Sequence, residues 1–355
     1  MVNPLGQRLR ELPGPLLLTG HTGFKGTWMT FLLEHLNIPI VGYSLPAEKD
    51  SLYVRAERAG AIPEVFADIR NYEALASFID LHKPSTIIHM AAQPLVLKSY
   101  ENPRETFDVN VMGTVNILDI SFKKEFVQTI IVVTTDKVYR NDNSGRAFIE
   151  SDPLEGKDPY SASKVGAEAV VSAWQQIAKV SGGPKVVSVR AGNVIGGGDF
   201  AENRIIPDLI RGVISGKPVE IRNPHSTRPW QHVLDPLFGY LIVAEQSLQG
   251  IKHSSFNFGP VGESLNVAQL TQIGNTVFKE LVFNTQQSNL NMNIEATALD
   301  LDPSLVREEF GWKPKWTQEQ AIFNTFKWWY SHLKDSKNVK QLCEADVLAY
   351  CTHRR

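Results

Sequence analysis

Hydrophobic positions follow two alternating spacings through the first 190 residues. Short apolar runs with the length of buried strands lie at residues 16–18, 38–43, 65–67, 86–90, 129–134 and 186–190. Segments with apolar residues three or four positions apart, which predict amphipathic helices, lie at residues 24–36, 72–81, 103–124 and 158–179. Strands that alternate with helices predict an α/β fold, in which helices cover both faces of a doubly wound parallel sheet.

The pattern changes after about residue 190. A glycine-rich segment at 193–199 is followed by prolines at short intervals and by irregular stretches. Further helices are predicted at residues 207–215, 234–247, 267–279 and 317–333. We therefore expect a smaller, mixed α/β second lobe at 191–333, with the chain free to cross back into the first lobe. The polar tail at 334–355 is assigned no role.

The composition excludes several classes of protein. With 36 Lys and Arg against 38 Asp and Glu, the net charge of −2 argues against nucleic acid or an anionic membrane as a partner, although a local basic site stays compatible with it. Cys343 and Cys351 have no histidines at zinc-ligand spacing, so we expect no metal site and two free thiols in a reducing cytosol. The chain shows no secretory leader and no apolar run near the ~20 residues of a membrane helix, so a cytoplasmic protein is expected.

A glycine loop connects the first predicted strand to the first predicted helix. Residues 19–26 read Thr-Gly-His-Thr-Gly-Phe-Lys-Gly. In a strand–helix–strand unit, such a turn brings the backbone against a pyrophosphate at the positive end of the helix, although glycine-rich turns also occur for packing alone. The sequence thus predicts a Rossmann-type, NAD(P)-binding domain at 1–190. Its candidate cofactor residues are Gly20, His21, Thr22, Gly23, Phe24, Lys25 and Gly26.

The end of the second predicted strand does not distinguish NAD from NADP. An acid that bonds the adenosine ribose, or an arginine that accepts its phosphate, is expected about 20 residues after the loop. That place holds Gly42, Tyr43 and Ser44, so both cofactors stay open.

Tyr160 and Lys164 lie four residues apart and therefore share one face of a predicted helix. A neighbouring ammonium lowers the pKa of a phenol, and such a tyrosine can take the proton of a sugar hydroxyl as hydride leaves the same carbon. Lysine can also bond the nicotinamide ribose. The same spacing is common on solvated helix faces. The Tyr–Lys pair is informative because it lies on the predicted helix that follows the fifth predicted strand.

Polar residues follow the fifth predicted strand, where ligands bind in open α/β sheets. Thr135, Asp136 and Lys137 supply a hydroxyl, an acid and a base in succession, although a turn with a capping aspartate has the same local sequence. After the fourth strand, Ala91, Ala92 and Gln93 leave room for a nicotinamide ring.

Taken together, these motifs resemble the extended short-chain dehydrogenase/reductase superfamily acting on nucleotide sugars, and within it the CDP-glucose 4,6-dehydratases. The resemblance covers roughly residues 16–316. Its matching motifs lie at residues 19–26, 89–96, 110–115, 135–137, 190–199 and 221–233. The Asn-Val-Ile-Gly-Gly-Gly-Asp segment at 193–199 and the Arg-Pro-Trp-Gln-His segment at 228–232 are specific to this subfamily, whereas the glycine loop and the Tyr–Lys pair are not.

The resemblance implies a lyase that uses bound NAD in an internal hydride transfer. Tyr160, aided by Lys164, would deprotonate the 4-hydroxyl of glucose as C4 is oxidised. Asp136 would protonate the departing 6-hydroxyl. Lys137, which replaces a glutamate of related dTDP-glucose dehydratases, would remove the C5 proton. Because lysine is protonated at neutral pH, burial or cations such as Lys164 would have to lower the pKa of Lys137.

The resemblance also implies contacts to the cofactor and the substrate. Asp68 and Ile69 would flank the adenine, Lys98 and Thr135 would contact the sugar, and Asn193 would bond the diphosphate. Arg204 and Arg228 are candidates for phosphate or base contacts, since a guanidinium matches phosphate oxygens, with surface ion pairs as the alternative. His225 and His232 are interpreted as structural. A homodimer joined through the helices at 103–124 and 158–179 is expected.

Two other functions are compatible with part of this pattern. An epimerase of the same superfamily shares the glycine loop and the Tyr–Lys pair, but it needs no acid and base for removing water. A regulator that binds NAD(P) without turnover need not keep the Tyr–Lys pair together with Asp136 and Lys137. A dehydratase in deoxysugar and lipopolysaccharide biosynthesis is therefore favoured, with its cytidine base inferred from resemblance alone.

Overall fold

A seven-stranded parallel sheet forms the centre of the molecule. The computed structural model describes residues 5–141, 145–201, 204–221, 224–279, 283–285, 299–335 and 338–352. In chain order the strands are Leu16–Thr19, Ile40–Ser44, Glu64–Phe66, Thr86–His89, Thr129–Val133, Lys185–Ala191 and Ser255–Phe258. Across the sheet they follow the order seven, six, five, four, one, two, three. The predicted doubly wound α/β fold is confirmed.

Helices cover both faces of the sheet, and the apolar core is accordingly divided into one cluster on each face. The helices of the first part are Gln7–Glu11, Phe24–His35, Leu52–Arg55, Tyr72–His82, Val96–Glu101, Pro103–Phe107, Gly113–Phe122 and Pro159–Ser181, with a π-helical segment at Asp108–Met112 and a 3₁₀ turn at Asp136–Val138. Those of the second part are Ile205–Ser215, Leu234–Ser247, Val267–Val277, Ser304–Phe310, Gln318–Lys334 and Val339–Thr352.

In the part of the chain that the structure describes, three pairs of short strands lie outside the central sheet. They join Val194–Ile195 to Gln231–His232, Thr227–Arg228 to Leu265–Asn266, and Val219–Ile221 to Phe283–Thr285. Residues 222 and 223 of the matching sequence motif lie outside the described residues.

The prediction of a single long α-helix at 103–124 is wrong, because a π-helical segment at Asp108–Met112 interrupts the α-helix. At the centre of that segment, the buried amide of Asn110 accepts a hydrogen bond from Gln93 N (2.8 Å) and donates one to Ser163 Oγ (2.8 Å). Immediately afterwards, Gly113 lies so close to Ile69 that a Cβ would come within 2.7 Å of its Cγ2. The extra residue in the turn lets the helix satisfy both contacts.

The chain returns to the central sheet well after residue 190. The Leu234–Ser247 helix packs on the fifth and sixth strands, and Ser255–Phe258 then pairs in parallel with Lys185–Ala191. The sequence pattern predicted no strand there, because Ser255 and Asn257 alternate with Phe256 and Phe258 in a run of only four residues.

The tail after residue 333, which was assigned no role, contains a further helix. Residues Val339–Thr352 form a helix that packs against Phe24–His35 and buries Val339, Cys343, Val347 and Tyr350 in the core. Their three- and four-residue spacing makes a single narrow apolar stripe in an otherwise polar sequence.

Within the described residues, no helix is long and apolar enough to cross a membrane, and no group of three His, Cys, Asp or Glu could hold a metal ion.

Two buried histidines should make the protein sensitive to acid. Burial lowers the pKa of His89 and of His232 to about 3, from 6.5. Between these pH values the unfolded chain binds protons that the native state does not, so stability is full above pH 6.5 and is lost as the pH falls.

We expect chemical denaturation to show a loss of up to about 1.4 kcal/mol per pH unit for each histidine in this window. His89→Asn and His232→Asn should each reduce that slope. An unchanged slope in both variants would contradict the assignment.

Candidate active site

Close backbone contacts hold the glycine loop, residues 19–26, in place. One surface of the loop, at Gly23, stays exposed. A Cβ on Gly20, whose φ is +75°, would lie 2.8 Å from Ala91 N, and a Cβ on Gly26 would lie 2.1 Å from Gly20 O. A Cβ on Gly23 would meet only Gly20 O, at 3.4 Å, and Gly23 is exposed at the start of the Phe24–His35 helix. The loop therefore fits a pyrophosphate at this helix N-terminus.

The side chains of His21 and Thr22 fasten the loop from behind. His21 is fully buried with its ring against Gly42, and its Nε2 is 2.7 Å from Glu64 Oε2. The Thr22 hydroxyl lies 2.8 Å from that of Ser44, at the end of the second strand. These two predicted cofactor residues thus present only their backbone to a bound molecule.

The predicted adenine contacts, Asp68 and Ile69, follow the third strand. Arg70 binds the Asp68 carboxylate at 2.6 Å, and this pairing lowers the pKa of Asp68. The Tyr43 hydroxyl donates to the Asp68 carbonyl (3.1 Å), while Ile69 is buried.

After the fourth strand, residues 91–93 turn away from the sheet. The Thr19 hydroxyl accepts hydrogen bonds from Met90 N and Ala91 N, both at 3.1 Å, which joins this turn to the glycine loop. Ala91 and Ala92 are partly exposed. The Gln93 side chain is buried and engaged with Leu95 and Thr106, so it holds the turn in place.

Tyr160 lies in the first turn of the long helix Pro159–Ser181, which packs on the sixth strand. Asp158 caps this helix by accepting from Ser161 N (2.9 Å), and Ser99 accepts from Tyr160 N (3.1 Å). Burial raises the pKa of Tyr160 to about 12, while the Thr135 hydroxyl, within hydrogen-bonding reach of the phenol, opposes the rise.

Asp136 Oδ1 accepts a hydrogen bond from the Thr135 hydroxyl at 2.8 Å, and the same hydroxyl acts on the pKa of Tyr160. The Asp136 side chain is buried, and burial raises its pKa. The Thr135 hydrogen bond and the charge of Lys137 act in the opposite direction. A carboxyl group with a raised pKa keeps its proton to higher pH, as a general acid requires.

Lys164 lies one turn beyond Tyr160 on the same helix and is buried. Its ammonium donates to the Val133 carbonyl (3.2 Å). Burial, with a contribution from the charge of Lys25, lowers the pKa of Lys164 to about 8. The net pKa change of Tyr160 is upward, opposite to the expected direction, because desolvation of the phenolate outweighs the stabilising contacts.

Lys25 has surroundings that the sequence did not reveal. Burial lowers its pKa to about 8, and its ammonium is near enough to Asp136 and Arg204 for their charges to act on it. Lys25, Lys164 and Arg204 thus form a local basic cluster around Asp136 and Tyr160. The motif identified a loop residue but not the direction of its side chain.

The predicted substrate residues come from several elements. Lys98 is exposed on the Val96–Glu101 helix, which also supplies Ser99 to the Tyr160 backbone. Asn193 is exposed and follows Gly192, where a Cβ would lie 3.1 Å from Asp136 Oδ2.

The two predicted arginines differ in position. Arg204 is paired with Asp199 (2.8 Å), yet its side chain is 42% exposed and its charge acts on Tyr160. Arg228 lies in the short strand Thr227–Arg228, where its guanidinium donates to the Thr227 carbonyl (2.9 Å).

Comparison with known proteins gives a family match and curated relatives. The model of the NAD dependent epimerase/dehydratase family matches residues 16–259. A CDP-glucose 4,6-dehydratase of Salmonella typhimurium is 38% identical over 321 residues, which is 88% of this chain and 89% of the relative. A dTDP-glucose 4,6-dehydratase of Haemophilus influenzae is 24% identical, covering 88% of this chain and 97% of the relative.

Solved structures share the fold. A UDP-glucose 4-epimerase of Thermotoga maritima superposes with a TM-score of 0.76 at 20% identity, covering 90% of this chain and 99% of the other. A dTDP-glucose 4,6-dehydratase of Bacillus anthracis, solved in complex with NAD, gives a TM-score of 0.74 at 23% identity over 93% of this chain and 99% of the other.

Two glycine variants distinguish the packing of the loop from its binding surface. Gly26→Ala is expected to destabilise the ligand-free protein by about 1–3 kcal/mol, because the new methyl group meets a backbone oxygen. Gly23→Ala should leave the melting temperature unchanged and weaken NAD binding by at least about tenfold, since its methyl group projects where the pyrophosphate is expected. Thermal unfolding and calorimetric titration measure the two effects. Wild-type NAD affinity in Gly23→Ala would show that the loop is not the pyrophosphate site.

Proposed function

The chain belongs to the NAD dependent epimerase/dehydratase family, and from that premise we propose that it converts CDP-glucose into CDP-4-keto-6-deoxyglucose with loss of water. The observation that carries the proposal is that the Thr135 hydroxyl donates to Asp136 and also acts on the phenol of Tyr160, with Lys137 next to Asp136 in the chain. A base that can take the proton of a sugar hydroxyl and a buried acid near it suit an oxidation that is followed by an elimination.

The glycine loop, Tyr160 and Lys164 would hold NAD, which would supply the hydride chemistry for C4 and C6 of the sugar. The side chains of the protein would transfer the protons. Tyr160 would receive the proton of the 4-hydroxyl, with Thr135 and the charge of Arg204 favouring the phenolate against the effect of burial. Lys164 and Lys25, whose pKa values lie at about 8, place two readily deprotonated amines within the same cleft.

The elimination would use the turn after the fifth strand. Once C4 is a ketone, the proton at C5 is acidic, and we assign its removal to Lys137. Asp136 would protonate the departing 6-hydroxyl, a role suited to its raised pKa. An epimerase needs neither of these two steps.

The diphosphate and the sugar would be bound at the same edge of the sheet. Arg204 and Asn193 are proposed for the diphosphate, and Lys98 and Thr135 for the sugar. Arg228 is retained as a candidate for the nucleotide base.

We further propose a cytoplasmic homodimer that takes part in deoxysugar synthesis for surface polysaccharides such as lipopolysaccharide. Exposed apolar side chains support the dimer, since Phe107, Met112 and Ile177 are 40%, 48% and 43% exposed on the helices expected to pair.

A panel of substrates tests the reaction. Incubation with NAD and CDP-, dTDP-, UDP- or GDP-glucose should give a 4-keto-6-deoxy product from CDP-glucose, detected by mass spectrometry as loss of water. A hexose epimerised at C4 that keeps its 6-hydroxyl would contradict the dehydratase and favour the epimerase. Bound NAD with no product from any of the four would favour a non-catalytic regulator.

Variants of the turn test the assignment of acid and base. Asp136→Asn should lower product formation by about 10²–10⁴-fold while C5 hydrogen still exchanges with solvent deuterium, because only the proton donor is lost. Lys137→Ala should abolish that exchange as well. Exchange at the wild-type rate in Lys137→Ala would mean that another group, such as Lys25, removes the C5 proton.

A further inference from the structure

A buried ion pair lies behind the turn that carries Asp136 and Lys137. Arg190 on the sixth strand donates from Nε to Glu168 Oε1 (2.9 Å) and from Nη2 to Glu168 Oε2 (2.8 Å). Both side chains are only 5% exposed. Removing two charges from water carries a large desolvation cost, and a hydrophobic pair of similar volume is often as stable. Packing alone therefore does not explain the pair.

The ion pair holds the start of the strand-end turn, which we define as residues 134–139. The Thr134 hydroxyl donates to Glu168 Oε1 at 2.5 Å, and Thr134 N donates to the Val189 carbonyl at 2.9 Å. Thr134 directly precedes Thr135 and Asp136, so its position fixes where the chain enters the turn.

The same ion pair holds the end of the turn. Arg190 Nη1 donates to the Tyr139 hydroxyl (2.8 Å), which in turn donates to Asn257 Oδ1 (2.7 Å). The Tyr139 ring stacks on Phe148 with a centroid distance of 5.1 Å. Tyr139 directly follows the 3₁₀ turn Asp136–Val138.

The ion pair also connects the turn to the helix of the proposed base. Glu168 lies on the Pro159–Ser181 helix, one turn beyond Lys164, and its charge raises the pKa of Lys164 against the effect of burial. Ser188 on the sixth strand donates to Glu168 Oε2 at 2.9 Å. The carboxylate of Glu168, on the helix that carries Tyr160, thus also contacts the turn that carries Asp136 and Lys137.

We propose that Glu168 and Arg190 are positioning residues that hold both ends of the strand-end turn and fix Asp136 and Lys137 relative to Tyr160. The inference rests on the proposed dehydratase function. Neither residue acts on substrate directly. The ion pair supplies directional hydrogen bonds to Thr134 and Tyr139, which apolar side chains could not provide.

The test removes side-chain hydrogen bonds at each end of the turn. Thr134→Val keeps the shape of the side chain and loses its hydroxyl, whereas Thr134→Ser keeps the hydroxyl and serves as its control. Tyr139→Phe removes the hydrogen bond from Arg190 and the one to Asn257. Its control, Tyr72→Phe, likewise removes two hydrogen bonds on a pair of surface helices, one to Asp119 (2.6 Å) and one from Lys123 (3.0 Å).

Hydrogen–deuterium exchange of the ligand-free protein gives the first readout. Amides of residues 135–139 should exchange at least about tenfold faster in Thr134→Val and Tyr139→Phe than in the wild type, and at the wild-type rate in both controls. Unchanged exchange in Thr134→Val and Tyr139→Phe would overturn the proposal.

Single-turnover kinetics with CDP-glucose give the second readout. The loss of position should slow C5 exchange and water loss by about 10- to 100-fold, because small displacements of acid and base are costly. Oxidation at C4 should change far less, so NADH absorbance should accumulate transiently. Equal slowing of both steps would contradict positioning of the turn.

The double variant Glu168→Gln/Arg190→Met removes the ion pair without leaving a buried unpaired charge and should reproduce both effects. A wild-type rate of water loss in this variant would refute the proposal. If the wild type dehydrates no nucleotide sugar, the proposed function fails, whereas the exchange measurement still tests whether the ion pair holds the turn.

Discussion

Desolvation of charged groups at the carboxyl ends of the parallel strands is the constraint on which this active site depends. Asp136, Lys164 and Tyr160 are largely shielded from water, and burial is the largest influence on the pKa of each. It favours a protonated carboxyl group on Asp136, which suits a general acid, and a neutral phenol on Tyr160, which the Thr135 hydroxyl and the charge of Arg204 oppose. The cost is that every buried polar atom requires a fixed partner.

The fold provides those partners from elements that are far apart in the sequence. Thr19 connects the glycine loop to the turn at residues 90–93, and Ser99 fixes the backbone of Tyr160. Glu168 and Arg190 do the same for the turn that holds Asp136. Each of these contacts joins two elements at the same edge of the sheet. The rigidity of the site is thus a property of the sheet and its covering helices.

The sequence predicted the features that depend on local spacing. Five of the six predicted strands were recognisable because a strand buried on both faces reads as a continuous apolar run, whereas the third, Glu64–Phe66, is a partly exposed edge strand with a short apolar run. The Tyr160–Lys164 pair was recognisable because one helical turn separates the two residues. Contacts between distant segments were not recognisable. The Glu168–Arg190 pair, the direction of Lys25 and the seventh strand at Ser255–Phe258 each depend on what the rest of the chain places beside them. The pKa of Tyr160 changed in the unexpected direction for the same reason, since burial is a tertiary property.

The Val339–Thr352 helix has a consequence for the order of folding. It packs on the Phe24–His35 helix, which starts within the glycine loop, although most of the chain separates the two segments. During synthesis part of the apolar face of the Phe24–His35 helix must therefore stay uncovered until residues 339–352 have left the ribosome. Contacts of such long sequence separation slow folding and expose intermediates to aggregation. The cofactor loop is translated early, but its supporting core is completed late.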